Sequence, residues 1–176
     1  VVTNRSRNLN QYLPEAAVKF VEDFDNLSTD EKLAALYFIY ERMGESVTPA
    51  APNAAEPNLA PLLLADFFEL SDDEQLKVMR DIINCEDTEF SRAYGALKEN
   101  NQLMVWFFWA EEMGDRVVDV PRNYQPTPAI EQMIVAIEEL DFEEQISVLR
   151  ELAGNMGYTE VQPIPTQAET GKTSSF

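Results

Sequence analysis

At 176 residues, with 32 acidic against 13 basic side chains, the chain carries a formal charge of −19 and an ordinary globular 45 % of hydrophobic residues. That balance excludes nucleic acid and anionic membrane surfaces as natural partners, because neutralising phosphate takes clustered Lys and Arg. Histidine is absent and Cys85 is the one cysteine, which removes the commonest general base, Cys-rich metal sites and any disulfide within the chain.

Taken in chain order, the signals are helical. Pro14-Glu15 opens an amphipathic stretch with Val18, Val21 and Phe24 on one face. Ser28-Thr29-Asp30-Glu31 is a capping box that starts a helix through Leu33, Leu36, Tyr37 and Tyr40, with Gly44 just past Met43 as its expected stop. Ser46 to Pro61, with Pro49, Pro52 and Pro57, reads as a long stiff connection. A helix is predicted from Pro61 to Leu70, a second capping box at Ser71-Asp72-Asp73-Glu74, and further helices over Glu86 to Leu97 and Asn100 to Met113. Cys85 stands beside Glu86, a setting that does not favour a thiolate, and reads as structural. Val117 to Val120 is too short for a convincing strand and ends at Pro121. Thr127 to Glu139 is helical, and Asp141-Phe142-Glu143-Glu144 is a looser third box opening the last helix. The total is eight helices and an all-α fold, with a body over 1–158 and a flexible Pro/Thr/Gln/Ser tail over 159–176. No run of about 18 apolar residues is present, so no transmembrane helix is expected. No signal peptide opens the chain, and the single thiol fits a reducing, cytoplasmic setting.

The chain repeats itself at a shift of 70 residues without a gap. Leu33, Phe38, Glu41, Met43 and Gly44 fall opposite Leu103, Phe108, Glu111, Met113 and Gly114, and Leu70, Glu74, Gln75, Val78 and Arg80 opposite Leu140, Glu144, Gln145, Val148 and Arg150. Two pseudo-equivalent helical halves follow. Neither is large enough to be comfortably stable alone, so they should share a core, with any ligand at their interface.

Enzymatic chemistry finds no support. Glu111-Glu112 and Glu138-Glu139 are helix neighbours that do not face each other. No His partners a nucleophile, no Gly-rich loop cradles a phosphate, and a helical di-metal site would want Glu-x-x-His. The chain is read as no enzyme, with neither catalytic nor metal-ligating residues. Aromatics are the exception: Leu33, Leu36, Tyr37 and Tyr40 form one helical stripe, and Leu103, Trp106, Phe107 and Ala110 its partner. Such a stripe is more often plain core. Its concentration on corresponding helices, and Ala110 opposite Tyr40, instead suggest a tunnel for a long conjugated hydrocarbon, with methionines such as Met43, Met79, Met104 and Met113 as adaptable lining. Arg80 and Arg150 each read either as one partner of a surface ion pair worth about 0–1 kcal/mol or as a contact to another protein.

Several segments resemble the N-terminal helical domain of the orange carotenoid protein: Leu27 to Leu33, Tyr40-Glu41-Arg42-Met43-Gly44, Ala50 to Ala55, Asn84, Asp87-Thr88, Arg92-Ala93-Tyr94, Leu103 to Phe107, Pro121 with Tyr124, and Glu144 to Arg150. The resemblance implies two interleaved, pseudo-two-fold related four-helix bundles around a carotenoid. Positions matching its binding residues are Leu33, Leu36, Tyr37, Tyr40, Met79, Leu103, Trp106, Phe107, Tyr124, Ile146 and Ala153, with Tyr40 and Trp106 matching aromatics that pack on a terminal ring. Arg150 matches an arginine implicated in contact with the C-terminal domain and in docking to the phycobilisome antenna. The sequence departs from the two-domain relatives at Tyr37 and Leu97, where they have Trp, and at Phe107, where they have Tyr. The implied protein is a stand-alone, cyanobacterial, photoprotective carotenoid binder, holding a ketocarotenoid such as canthaxanthin or echinenone and quenching singlet oxygen. Alternatives are a phycobilisome-docking fluorescence quencher, associated with thylakoid phycobilisomes, and a pigment-free helical scaffold. A homologue of the missing C-terminal domain is the implied pigment donor.

Overall fold

The computed structural model describes residues 14–47 and 60–160. The expectations for the Pro-rich connection and for the tail past Glu160 lie mostly outside these residues. Among the described residues there are eight α-helices, one 3-10 segment and no strand, so the fold is all-α. We label the helices α1 (Glu15–Asp25), α2 (Thr29–Val47), α3 (Pro61–Leu64), α4 (Asp72–Ile83), α5 (Glu89–Gly95), α6 (Glu99–Glu111), α7 (Pro128–Glu138) and α8 (Phe142–Gly154), with the 3-10 segment Asp66–Glu69 after α3.

Local chemistry starts most of these elements. Ser71 and Asp141 cap α4 and α8 in reciprocal boxes with Glu74 and Glu144. At α2 the Glu31 amide donates to Ser28 Oγ at 3.2 Å, and the Ser28 amide donates to the Glu31 carboxylate at 3.0 Å. That second bond holds the Glu31 carboxyl below the usual carboxylate range. Thr88 and Thr127 cap α5 and α7.

Two boundaries differ from expectation. Gly44 does not stop α2, which runs on to Val47; one glycine inside a helix costs only about 1 kcal/mol, and the next proline comes at Pro49. The helix expected over Pro61 to Leu70 breaks at Ala65 (φ −139°, ψ −64°). The carbonyl of Leu63, which a continuous helix would give to the Phe67 amide, instead accepts the Trp109 indole N–H at 3.0 Å. Phe67 then lies flat on Trp109, ring centroids 4.1 Å apart.

The repeat is structural as well as sequential. Gln75 and Gln145 each donate Nε2 to the carbonyl eight residues earlier, of Phe67 at 3.2 Å and Ile137 at 2.9 Å. Arg80 and Arg150 each donate Nε to the side chain fifty residues earlier, of Asp30 at 2.8 Å and Asn100 at 2.6 Å.

The halves do not pack as separate units. Helix α1 lies on α7 and α8, and α2 on α7, whereas α5 lies on α3 and α4, and Trp109 of α6 on the segment after α3. One bundle is therefore α1, α2, α7 and α8, and the other α3 to α6, each taking two helices from each half. Contacts of α2 with α4 and α6, and of α6 with α8, join the bundles. The chain closes on α5: the Tyr158 amide donates to the Ser91 carbonyl at 3.0 Å. Gly95 is required there, since a Cβ would come within 2.1 Å of the Tyr158 carbonyl oxygen. No described helix is long and apolar enough to cross a membrane.

Candidate functional site

Two spaces open where the bundles meet. The inner one, about 20 Å³, is enclosed by Leu33, Leu36 and Ile39 of α2, Leu103, Trp106, Phe107 and Ala110 of α6, Met113, and Leu149 and Ala153 of α8. That volume is little more than one water molecule needs, and its walls are apolar. The outer one is a groove of about 320 Å³ between α2, α4 and the loop after α6, walled by Leu33, Ala34, Leu76, Met79, Met113, Val118, Val120, Pro121 and Tyr124. Its rim is charged, with Asp30, Arg80 and Asp119. The two spaces share Leu33 and Met113. They are also related by the repeat, because Met79 in the groove is the counterpart of Leu149 in the inner cavity.

Most of the residues singled out from the sequence meet here. Leu36, Leu103, Trp106, Phe107 and Ala153 line the cavity, Met79 and Tyr124 the groove, and Leu33 both. Tyr37, Tyr40 and Ile146 line neither. Tyr40 packs on Phe107, ring centroids 5.2 Å apart, one helical turn beyond Leu36. Tyr37 bonds the Glu41 carboxylate at 3.2 Å and sets its ring edge-on to Phe38, which in turn stacks on Tyr124. Ile146 is buried in α8; its repeat counterpart Leu76 is the one in the groove. Ile39, Leu149 and the loop residues Val118 and Val120 were not singled out. Leu149 was within reach of the repeat, as the counterpart of Met79. The loop residues carry no periodic signal.

The polar atoms of the wall are engaged away from it. Trp106 Nε1 donates to Tyr94 Oη at 2.9 Å, and Tyr94 Oη donates to the Ala153 carbonyl at 2.6 Å. Burial, with Glu41, Glu111 and Glu31 respectively nearby, pushes the Tyr37, Tyr40 and Tyr124 hydroxyls up from the ordinary phenol range, so all three stay neutral at physiological pH. Gln75 fixes the loop wall: it donates Nε2 to the Arg116 carbonyl at 2.9 Å and accepts the Val118 amide at 2.8 Å.

At the rim, Arg80 makes a two-pronged bond to Asp30, at 2.8 and 3.1 Å. Arg150 lies elsewhere, exposed, with Nε on the neutral Asn100 side chain and no ion pair among the described residues. The cavity and the groove thus lie on either side of Leu33 and Met113, both walled mainly by apolar side chains that offer an apolar guest contact rather than a base, metal or covalent anchor.

Residues 10–159 match the family described as "Orange carotenoid protein, N-terminal". An orange carotenoid-binding domain-containing protein of Nostoc sp. is 40 % identical over 144 residues, covering 81 % of this chain and 84 % of its own length. The orange carotenoid-binding protein of Synechocystis sp. is 32 % identical over 137 residues, but the chain spans only 43 % of that relative's length. Among solved structures, the red carotenoid protein of Anabaena (Nostoc) sp. binding canthaxanthin superposes with a TM-score of 0.71 at 29 % identity, covering 81 % of this chain and 99 % of that one. The family match over most of its length and these relatives place the chain in the family of orange carotenoid protein N-terminal domains.

Proposed function

We propose that the chain binds a carotenoid between its two bundles, within a binding domain over 1–158, and serves photoprotection. One observation carries this reading: the inner cavity and the outer groove meet at Leu33 and Met113, in a fold whose red carotenoid relative holds canthaxanthin. The residues fit such a guest in kind. Leu36, Leu103, Phe107 and Ala153 offer no polar side-chain atom, and burying apolar surface here is worth about 25 cal/mol per Å². Met79 and Met113 are unbranched and adjust their shape to an irregular guest. Rotation of Leu33 and Met113 joins the groove to the cavity and sets how far the guest enters. Tyr40, packed on Phe107, and Tyr37, near Tyr124 through Phe38, buttress the lining from behind. A bound ketocarotenoid such as canthaxanthin or echinenone would supply low-lying polyene states that take up energy from singlet oxygen and release it as heat.

The test is colour. Expression in cells making canthaxanthin should give an orange or red protein that shortens the lifetime of singlet-oxygen phosphorescence. A colourless product from such cells overturns the reading in favour of a pigment-free helical scaffold.

A second role is favoured by Arg150. Its Nε is held by a neutral partner, which orients the guanidinium outward without cancelling its charge. That arrangement suits docking on an acidic surface such as the phycobilisome, although the charge of −19 favours scavenging as the main role. Phycobilisome fluorescence that falls on adding the holoprotein, and recovers with Arg150→Ala, would place docking first. A separate C-terminal-domain homologue as pigment donor is checked by following transfer of colour between the two purified proteins.

A further inference from the structure

Tyr94 and Trp106 break the repeat together: seventy residues earlier the same positions hold Phe24 and Leu36. The second half has gained two polar atoms, and each is paired. Trp106 Nε1 donates to Tyr94 Oη at 2.9 Å, which donates onward to the Ala153 carbonyl at 2.6 Å. Trp106 and Ala153 are walls of the inner cavity; Tyr94 is not. Tyr94 is 0 % exposed, and its ring stands edge-on to the indole at 6.2 Å. Its carbonyl accepts Gln102 Nε2 at 3.0 Å, and a Cβ on Gly157 would come within 2.5 Å of its ring atom Cδ1. The tyrosine is thus clamped; the indole gives it its one N–H and packs edge-on to Trp109 at 5.2 Å, a contact that leaves the N–H to Tyr94.

We propose that Tyr94 is the positioning residue of the carotenoid wall. It holds Trp106 by the indole N–H and so fixes the angle at which that ring faces the bound polyene. This rests on the carotenoid reading above. The physical reason is that an orphaned indole N–H in an apolar wall is costly. Without the hydroxyl the ring either turns to find another acceptor or presents an unpaired donor, and both alter the surface that the pigment meets. Tyr94 touches no pigment; it acts through Trp106.

Tyr94→Phe removes the hydroxyl alone. In the pigment-free chain, hydrogen exchange at the Trp106 indole should quicken about tenfold or more, the size expected for one lost buried hydrogen bond. In the canthaxanthin-loaded chain the visible absorption maximum should shift, and adding Tyr94→Phe to Trp106→Phe should shift it no further. A merely structural role would lower the melting temperature in both backgrounds and leave the spectrum unmoved. Unchanged indole exchange in a folded Tyr94→Phe chain overturns the proposal, as does a spectral shift of equal size with and without Trp106. Should Tyr94→Phe fail to fold, Trp106→Phe, which removes the donor from the other end, must shift the spectrum, and an unshifted spectrum overturns the proposal. A wild-type chain that stays colourless sinks the carotenoid reading, whereas a coloured chain with an indifferent indole sinks this inference alone.

Discussion

The two halves of the chain share a skeleton and differ in what they put on it. Both place a glutamine under the carbonyl eight residues back and an arginine on the side chain fifty residues back. At the aromatic positions they diverge: Tyr40 in the first half corresponds to Ala110 in the second, Ile39 to Trp109, and Leu36 to Trp106. The duplicated hydrogen bonds make the frame, and the side chains that differ between the halves give each space its own shape. At the position where the first half carries Tyr40 the second carries Ala110, which walls the cavity; where the second half sets Trp106 and Trp109, the first has Leu36 and Ile39.

The sharpest test of that contrast is Trp109→Ala. It removes the stack on Phe67 and the bond to the Leu63 carbonyl, and should cost about 3–5 kcal/mol in urea unfolding. Ile39→Ala, at the counterpart position, should fall towards the lower end of the ~2–5 kcal/mol range for aliphatic truncation. Equal losses would mean that the halves are energetically interchangeable after all. Ala110→Tyr gives the second half the tyrosine of the first. Overfilling the cavity should cost about 1–3 kcal/mol and sharply reduce carotenoid uptake, read as the pigment-to-protein absorbance ratio. Undiminished uptake would move the guest out of the inner cavity.

Gln75→Ala should cost more than Gln145→Ala, within a range of about 1–3 kcal/mol, because Gln75 is buried and also ties down the 116–118 loop. If the order reverses, the loop wall is not held as described. The smallest effects belong to the arginines. Arg80→Ala and Arg150→Ala should each change stability by about 0–1 kcal/mol, with only the Arg80 effect fading in high salt, since its partner Asp30 is charged and Asn100 is not.

Much of this was legible in the sequence, for local reasons. Capping boxes at Ser28, Ser71 and Asp141 mark helix starts with side chains three residues apart, and the structure forms all three. The stripes that begin at Leu33 and Leu103 belong to the helices that carry most of the cavity wall. What was hidden depends on how the elements pack against one another. The break at Ala65 answers to Trp109, over forty residues on, which takes the Leu63 carbonyl. Tyr40 fits the periodic stripe yet sits a turn past the cavity, because periodicity gives a face and not a depth. The pairing of Tyr94 with Trp106 spans only twelve residues, but it depends on how two successive helices are turned against each other, which spacing along the chain does not give.

The exchange of helices between the halves carries a consequence for ancestry. Two copies of a four-helix unit, each lending its first pair to the other, would form a swapped homodimer. Joining such partners end to end gives the present topology without moving a single helix. Once fused, the copies no longer had to match, and a site straddling their axis could become lopsided while its supports stayed twinned.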